Sequence, residues 1–395
     1  MQVTFDQDRR EVYESAIDFE YARSGCEESW NLTQGYKAKL FLNLLHGFGR
    51  VPTHLSSQRL SLSQVRQHIP NEVQVVEYIV LGDRLLTWVI SKDTFQCRSI
   101  AISTTQLRGK IDAFLSRISQ RQATENSAQD LYEILVQPID EFLSPQRTTV
   151  IIPDKHLYRL PFSALQSSDG HFWIERTPIF QSPSITYLFS AQPVRSPNNR
   201  YVAFGSRIYN AVTNAELNTL RDIEPDIRME MGSGVTKENF LKALGNHSLV
   251  YYAGHSALDM RNTLQSAILL DGGRMGPNAV SALDITKQQT ARNAVIILSS
   301  CETSAGNAID GPGIRGLTSA FLISGARSVV GSIWPVESTG TMELMSSVFK
   351  YLVHDHRPIV NSLQAAQIEL INNPKYRHPY YWSGFLVTGN LSSAN

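Results

Sequence analysis

Apolar residues at spacings of four and three open the chain. In "REVYESAIDFEYARSG", Val12, Ala16, Phe19 and Ala22 recur on that interval and Gly25 supplies a stop, which predicts a helix. "KAKLFLNLLHGFG" is apolar around most of its circumference and predicts a second. Two such helices have no reason to stand alone and read as a pair that packs on something else. From about Val73 the period changes to two: "VQVVEYIV", a Gly-Asp turn, "RLLTWVIS" and "FQCRSIAIS" predict a hairpin or meander. A polar helix over "TTQLRGKIDAFLSRISQRQ", a second helix "AQDLYEILVQPIDEFL" and the strand "TTVIIPD" follow.

Beyond the joint "SPNNR" the alternation becomes regular. Near-continuous apolar runs, "YVAFGS", "LVYYAG", "NAVIILSS", "SVVGSIW" and "GFLVTG", predict strands buried on both faces. Between them lie amphipathic stretches: "KENFLKALG" with Thr236 as N-cap, "IRGLTSAFLISG", "TGTMELMSSVFKYLVHD", and "IVNSLQAAQIELI" with Ile359, Leu363, Ala366 and Leu370 on one face. Strands alternating with helices in this way predict an α/β fold, a doubly wound and mainly parallel sheet with helices on both faces. The expected division is N-terminal helices over 1–55, a lead-in α/β region over 56–195 and a third domain over 196–395.

Composition narrows the functions. The 395 residues hold 36 basic and 36 acidic side chains, a balance that argues against nucleic acid as the main ligand. No apolar run approaches the ~18 residues of a membrane span, and the charged N-terminus is unlike a signal peptide, so the expected location is cytoplasmic, with no membrane. Cys26, Cys97 and Cys301 are too few and too scattered for a disulfide framework or a zinc site, and each is expected as a free thiol. There is no HExxH and no Cys/His cluster, and "GNAIDGPGIRG" lacks the ending of a phosphate loop, so neither metal nor other cofactor is expected.

Two strands end in residues able to do chemistry. "LVYYAG" runs straight into His255 and "NAVIILSS" into Cys301. In a doubly wound sheet, reactive groups gather at the carboxyl ends of the strands, and neighbouring strands lie ~4.8 Å apart. That geometry suits a thiol nucleophile and an imidazole base, with the backbone N–H groups of Ser256 and Cys301 available for an oxyanion. Taken singly, a Cys after a strand is a buried inert thiol and a His near a turn a surface residue. Only as a pair do they point to catalysis. His247 and His378 compete for the base role, but neither directly ends a strand.

The segments "LVYYAGHSAL", "SAILLDGG", "VIILSSCETSAG", "GPGIRGLTSAFLISGARSVVGSIWPV" and "HPYYWSGFLVTG" together resemble the CHAT family, caspase-like cysteine peptidases of the caspase and separase clan that often follow tetratricopeptide repeats. Upstream, "VEYIVLGDRLLTWVIS", "LYEILVQPIDEFL", "TVIIPDKHLYRLPFSAL" and "SPSITYL" are similar to that family's lead-in, which the resemblance reads as a pseudo-caspase-like region. The likeness covers roughly Val73 to Gly389, and the opening helices are similar to the end of a repeat array, as in a fragment of a longer chain. It implies a cysteine endopeptidase with Cys301 as nucleophile and His255 as base, regulated by a repeat domain or sensor protein. Ser256 stands where the family has Gly. It also implies a protein substrate bound as an extended strand beside "SIWPVES", with Trp334 and Val336 lining the cleft; core packing is the alternative for Trp334. At the position where separases carry the acid that reads Arg, this chain has Met342, which implies an apolar P1 residue. Glu302 and Asp310 are either acidic liners or solvated loop charges. The alternative function is a catalytically silent scaffold of the same fold.

Overall fold

The computed structural model describes residues 2–47, 60–189, 200–208, 210–259, 262–288, 294–300 and 316–394, with backbone alone at 2–9 and 40–47. These form two compact units, one on each side of the segment 190–199. Among the described residues no helix is long and apolar enough to cross a membrane, and no group of three His, Cys, Asp or Glu side chains could hold a metal ion.

The first unit holds helices α1 (Gln2–Ser24), α2 (Cys26–Gly47), α3 (Leu62–His68), α4 (Thr104–Ser119), α5 (Glu125–Leu135), α6 (Trp173–Arg176) and α7 (Ile185–Leu188). Its strands β1 (Val73–Val80), β2 (Arg84–Ile90), β3 (Phe95–Ala101), β4 (Thr148–Ile152) and β5 (Ile179–Gln181) pair in the order β3-β2-β1-β4-β5. The predicted meander is β1-β2-β3, antiparallel throughout, while β4 runs parallel to β1. All eight residues of β1 are buried, because helices cover both faces. On one face Tyr78 stacks on Phe162 at 5.7 Å and its hydroxyl donates to the Leu135 carbonyl of α5.

The other face receives α2, and here the sequence misleads. The helix docks through Cys26, Trp30, Gln34 and Lys37, four residues on one stripe. Trp30 Nε1 and Gln34 Nε2 donate to Glu77 Oε2 at 2.9 and 2.8 Å, and Lys37 Nζ lies 3.3 Å from Glu77 Oε1. Lys37 also donates to the Tyr78 carbonyl at 2.8 Å. A charge on a central strand is tolerated only when paired and hydrogen-bonded, and this one is both. On α1 the repeat that marks the helix faces outward: Val12 is 69% and Phe19 62% exposed, whereas Ile17 is buried.

Cys26 and Cys97 form a disulfide between α2 and β3, with Cα atoms 6.0 Å apart. This corrects the expectation of free thiols at those two positions. Their separation of 71 residues hides the pairing in sequence, and only the docking of α2 across the meander reveals it.

In the second unit, helices α8 (Ala211–Ile223), α9 (Lys237–Leu244), α10 (Ala282–Lys287), α11 (Leu317–Ser324), α12 (Ser338–Phe349) and α13 (Ile359–Asn372) alternate with strands. The main strands are β6 (Tyr201–Phe204), β7 (Arg228–Glu230), β8 (Leu249–Ala253), β12 (Val295–Ser299), β13 (Ser328–Ser332) and β14 (Phe385–Gly389). They pair in the order β14-β13-β12-β8-β6-β7, parallel except for β14. Successive residues of β8 show that the sheet is covered on both sides. Tyr251 meets Glu216 of α8 and Phe349 of α12, and Tyr252 meets Phe240 of α9, which in turn contacts Phe321 of α11. The doubly wound, mainly parallel α/β fold with helices on both faces is therefore as expected. Thr236 caps α9 through the Asn239 N–H, and the predicted face of α13 is buried.

Between β8 and β12 the connection is larger than a single helical crossover. It contains β9 (His255–Ala257), β10 (Ala267–Asp271) and β11 (Arg274–Ser281), a separate antiparallel sheet of order β11-β10-β9, before α10.

Candidate functional site

β8 and β12 are immediate parallel neighbours, in a register that sets Ala253 opposite Ser299. Both strands are buried along their whole length, so their carboxyl ends form one rim. The Gly254 N–H donates to the Ser299 carbonyl at 3.2 Å, and the chain then leaves the main sheet as β9. His255 is the first residue of β9, opposite Leu269, with an exposed side chain. Its ring lies over the β10–β11 turn. A Cβ at Gly273, where φ is +87°, would stand 3.3 Å from imidazole Cδ2. Ser256 follows within β9 opposite Ile268. Cys301, Glu302 and Asp310 lie outside the described residues.

The approach to position 301 is held from a neighbouring strand. Ser332, the last residue of β13, donates its hydroxyl to the Ser300 carbonyl at 2.8 Å, and both residues are buried. One residue earlier, a buried acid lies under the rim. Burial pushes the Glu216 carboxyl above the usual carboxylate range, opposed by the Tyr251 hydroxyl that donates to it. The Ser299 hydroxyl lies within electrostatic reach of that carboxyl but outside hydrogen-bond geometry. A neutral acid here costs less than a desolvated anion.

Trp334 follows β13 and is half-buried, its indole packed on Gly384 with Nε1 unpartnered among the described residues. Val336 is half-buried in the extended stretch before α12, and residues 335–337 belong to no strand. Met342 is half-buried within α12. Glu337, unremarked in the sequence, caps that helix by accepting from the Thr339 and Gly340 N–H groups. His247 Nδ1 lies 3.0 Å from the Ala243 carbonyl at the end of α9, and His378 accepts from the Tyr380 N–H. Each of these two imidazoles thus serves a local turn.

The family model of the CHAT domain matches residues 125–390. The chain belongs to the CHAT-domain family. This CHAT protein is similar to human tetratricopeptide repeat protein 28, 22% identical over an alignment 321 residues long that covers 66% of this chain and 13% of that protein. It is also similar to the mouse protein of that name, 20% identical over 325 residues with the same shares. It spans about an eighth of the length of these curated relatives. Among solved structures, a Saccharomyces cerevisiae separase–securin complex matches with a TM-score of 0.63 and 12% identity, over 93% of this chain and 34% of that one. At that identity the likeness speaks for the fold alone.

Proposed function

We propose that this CHAT protein is a cysteine endopeptidase that cleaves a protein partner through Cys301 and His255. The observation that carries the reading is the register of β8 and β12: the strands that run into these two residues are neighbours and finish level, at Ala253 and Ser299. His255 takes the thiol proton, the thiolate attacks the scissile carbonyl carbon, and the oxyanion is held by the N–H groups of Ser256 and Cys301. The imidazolium then returns the proton to the departing amine, and water cleaves the thioester with His255 again as base. The substrate lies as an extended strand beside 334–337, since main-chain pairing gives affinity and side-chain pockets give selectivity. Met342 cannot pair with a guanidinium, and the preferred P1 residue is apolar. The protein acts under control of a repeat domain or sensor, a reading supported by its tetratricopeptide-repeat relatives.

The test is incubation of the purified chain with proteins encoded beside it, with new termini mapped by mass spectrometry. Wild type is expected to generate termini that Cys301→Ala and His255→Ala do not. Cleavage that persists in Cys301→Ala refutes the reading. Partners that bind wild type and remain intact assign the chain to a silent scaffold.

A further inference from the structure

One buried hydroxyl holds both backbone groups of His255. Tyr252 lies on β8 three residues before the histidine, fully buried, with its ring edge-on to Phe240 at 6.2 Å. Its hydroxyl does not end in the hydrophobic layer. It accepts the His255 N–H at 3.0 Å and lies 2.9 Å from the His255 carbonyl and 3.0 Å from the Leu269 carbonyl. A phenol has one proton to donate and lone pairs to accept with. It therefore takes the N–H and shares its proton between two carbonyls, one on β9 and one on β10. Burial pushes the Tyr252 phenol up, so it remains a donor throughout the neutral range.

The residue between them is built around this contact. A Cβ on Gly254 would stand 2.7 Å from Tyr252 Cζ and closer still to the hydroxyl, so only glycine lets the ring fold back beneath the turn. On the opposite side, Gly273 at φ +87° leaves room for the imidazole ring. His255 is thus fixed from below by a hydroxyl and bounded from beside by a hairpin, although its own side chain is exposed.

We infer that Tyr252 is a positioning residue for the general base: its hydroxyl sets the backbone of His255 at the point where the chain leaves the main sheet, and so sets the direction in which the imidazole meets the nucleophile. The inference rests on the peptidase reading, because a base needs aiming only if it has a proton to take. A catalytic group must be held within a fraction of an ångström by its supporting contacts, and an exposed side chain has few of its own.

The test is the rate of alkylation of Cys301 by iodoacetamide as a function of pH, read by mass spectrometry of the Cys301 peptide in the folded full chain. A paired imidazole extends thiolate reactivity to lower pH. Wild type is expected to show that low-pH limb and His255→Ala to lack it. Tyr252→Phe, which keeps the ring and removes the hydroxyl, is expected to weaken the limb and kcat/KM by roughly tenfold, one hydrogen bond's worth, while alkylation at high pH stays as in wild type. Gly254→Ala, which displaces the hydroxyl without removing it, is expected to do the same and stands in if the phenylalanine variant does not fold. A wild-type pH profile in Tyr252→Phe or its stand-in, beside a changed one in His255→Ala, overturns this inference alone. An unchanged profile in His255→Ala overturns the peptidase reading and this inference with it.

Discussion

The disulfide between α2 and β3 gives the most direct numerical test of the first unit. Its perturbation is Cys26→Ser with Cys97→Ala, alanine being chosen at 97 because that side chain is buried. The bond closes a loop across 71 residues. Loop-closure entropy of the unfolded chain, which grows with the logarithm of loop length, then sets the loss at about 4 kcal/mol. The assay is urea unfolding followed by tryptophan fluorescence, with Trp30 and Trp88 as fully buried reporters beside the bond. Trp88 Nε1 donates to the Cys26 carbonyl at 3.0 Å, so it senses the joint directly. The variant should unfold at lower urea than oxidised wild type, and dithiothreitol should bring wild type to the variant's midpoint without moving the variant. Thiol titration of the denatured, unreduced chain should find Cys301 alone reactive. Three reactive thiols, or midpoints that coincide, refute the reasoning.

Three further outcomes follow from buried polar groups. Lys37→Met leaves Glu77 buried without its cation and should cost about 3–5 kcal/mol of stability, while Lys37→Met with Glu77→Gln should recover much of that, as read by a double-mutant cycle in urea. Glu216 has a folded pKa above its ordinary value of 4.5, so its contribution is complete below that pH and is lost as pH rises toward the folded value. Glu216→Gln should therefore gain on wild type above pH 4.5 by up to about 1.4 kcal/mol per pH unit until the native carboxyl ionises, and a pH-independent difference would contradict this. Ser332→Ala frees the Ser300 carbonyl from its buried donor and should cost about 1 kcal/mol; in the peptidase assay it should lower kcat more than it raises KM.

Legibility in the sequence tracked how much of a feature is local. The strands of the second unit are apolar runs that nothing but burial explains, and α13 announces its inward face at Ile359, Leu363, Ala366 and Leu370. The cap at Thr236 is a matter of three residues. What stayed hidden depends on distant partners. Trp30, Gln34 and Lys37 form an inward stripe, but a stripe of polar side chains leaves hydropathy unmoved, and its partner Glu77 lies 40 or more positions away. The outward Val12 and Phe19 misdirect in the opposite sense. The sheet β9–β11 was missed because β9 is only three residues long and β11 is open to solvent over its first four, although β10 is an apolar run buried at four of its five positions. At the candidate site, His255 was legible as the end of a strand. Tyr252 was not, because a tyrosine in an apolar strand looks like core until its hydroxyl is seen to reach around a glycine.

The ionic seat of α2 bears on how this protein should be cut for the bench. The family match begins at residue 125, and a clone trimmed to that boundary would discard β1, β2 and β3 together with the helical pair that covers them. β4, buried at all five positions and paired along one side to β1, would be left with an unzipped apolar border, the kind of margin that recruits foreign strands. Trimming between α2 and β1 would be no safer, since it would strand the Glu77 carboxylate in a hydrocarbon layer. Soluble material should come from boundaries that retain both α1 and α2, since Arg10 of α1 also pairs with the buried Asp154.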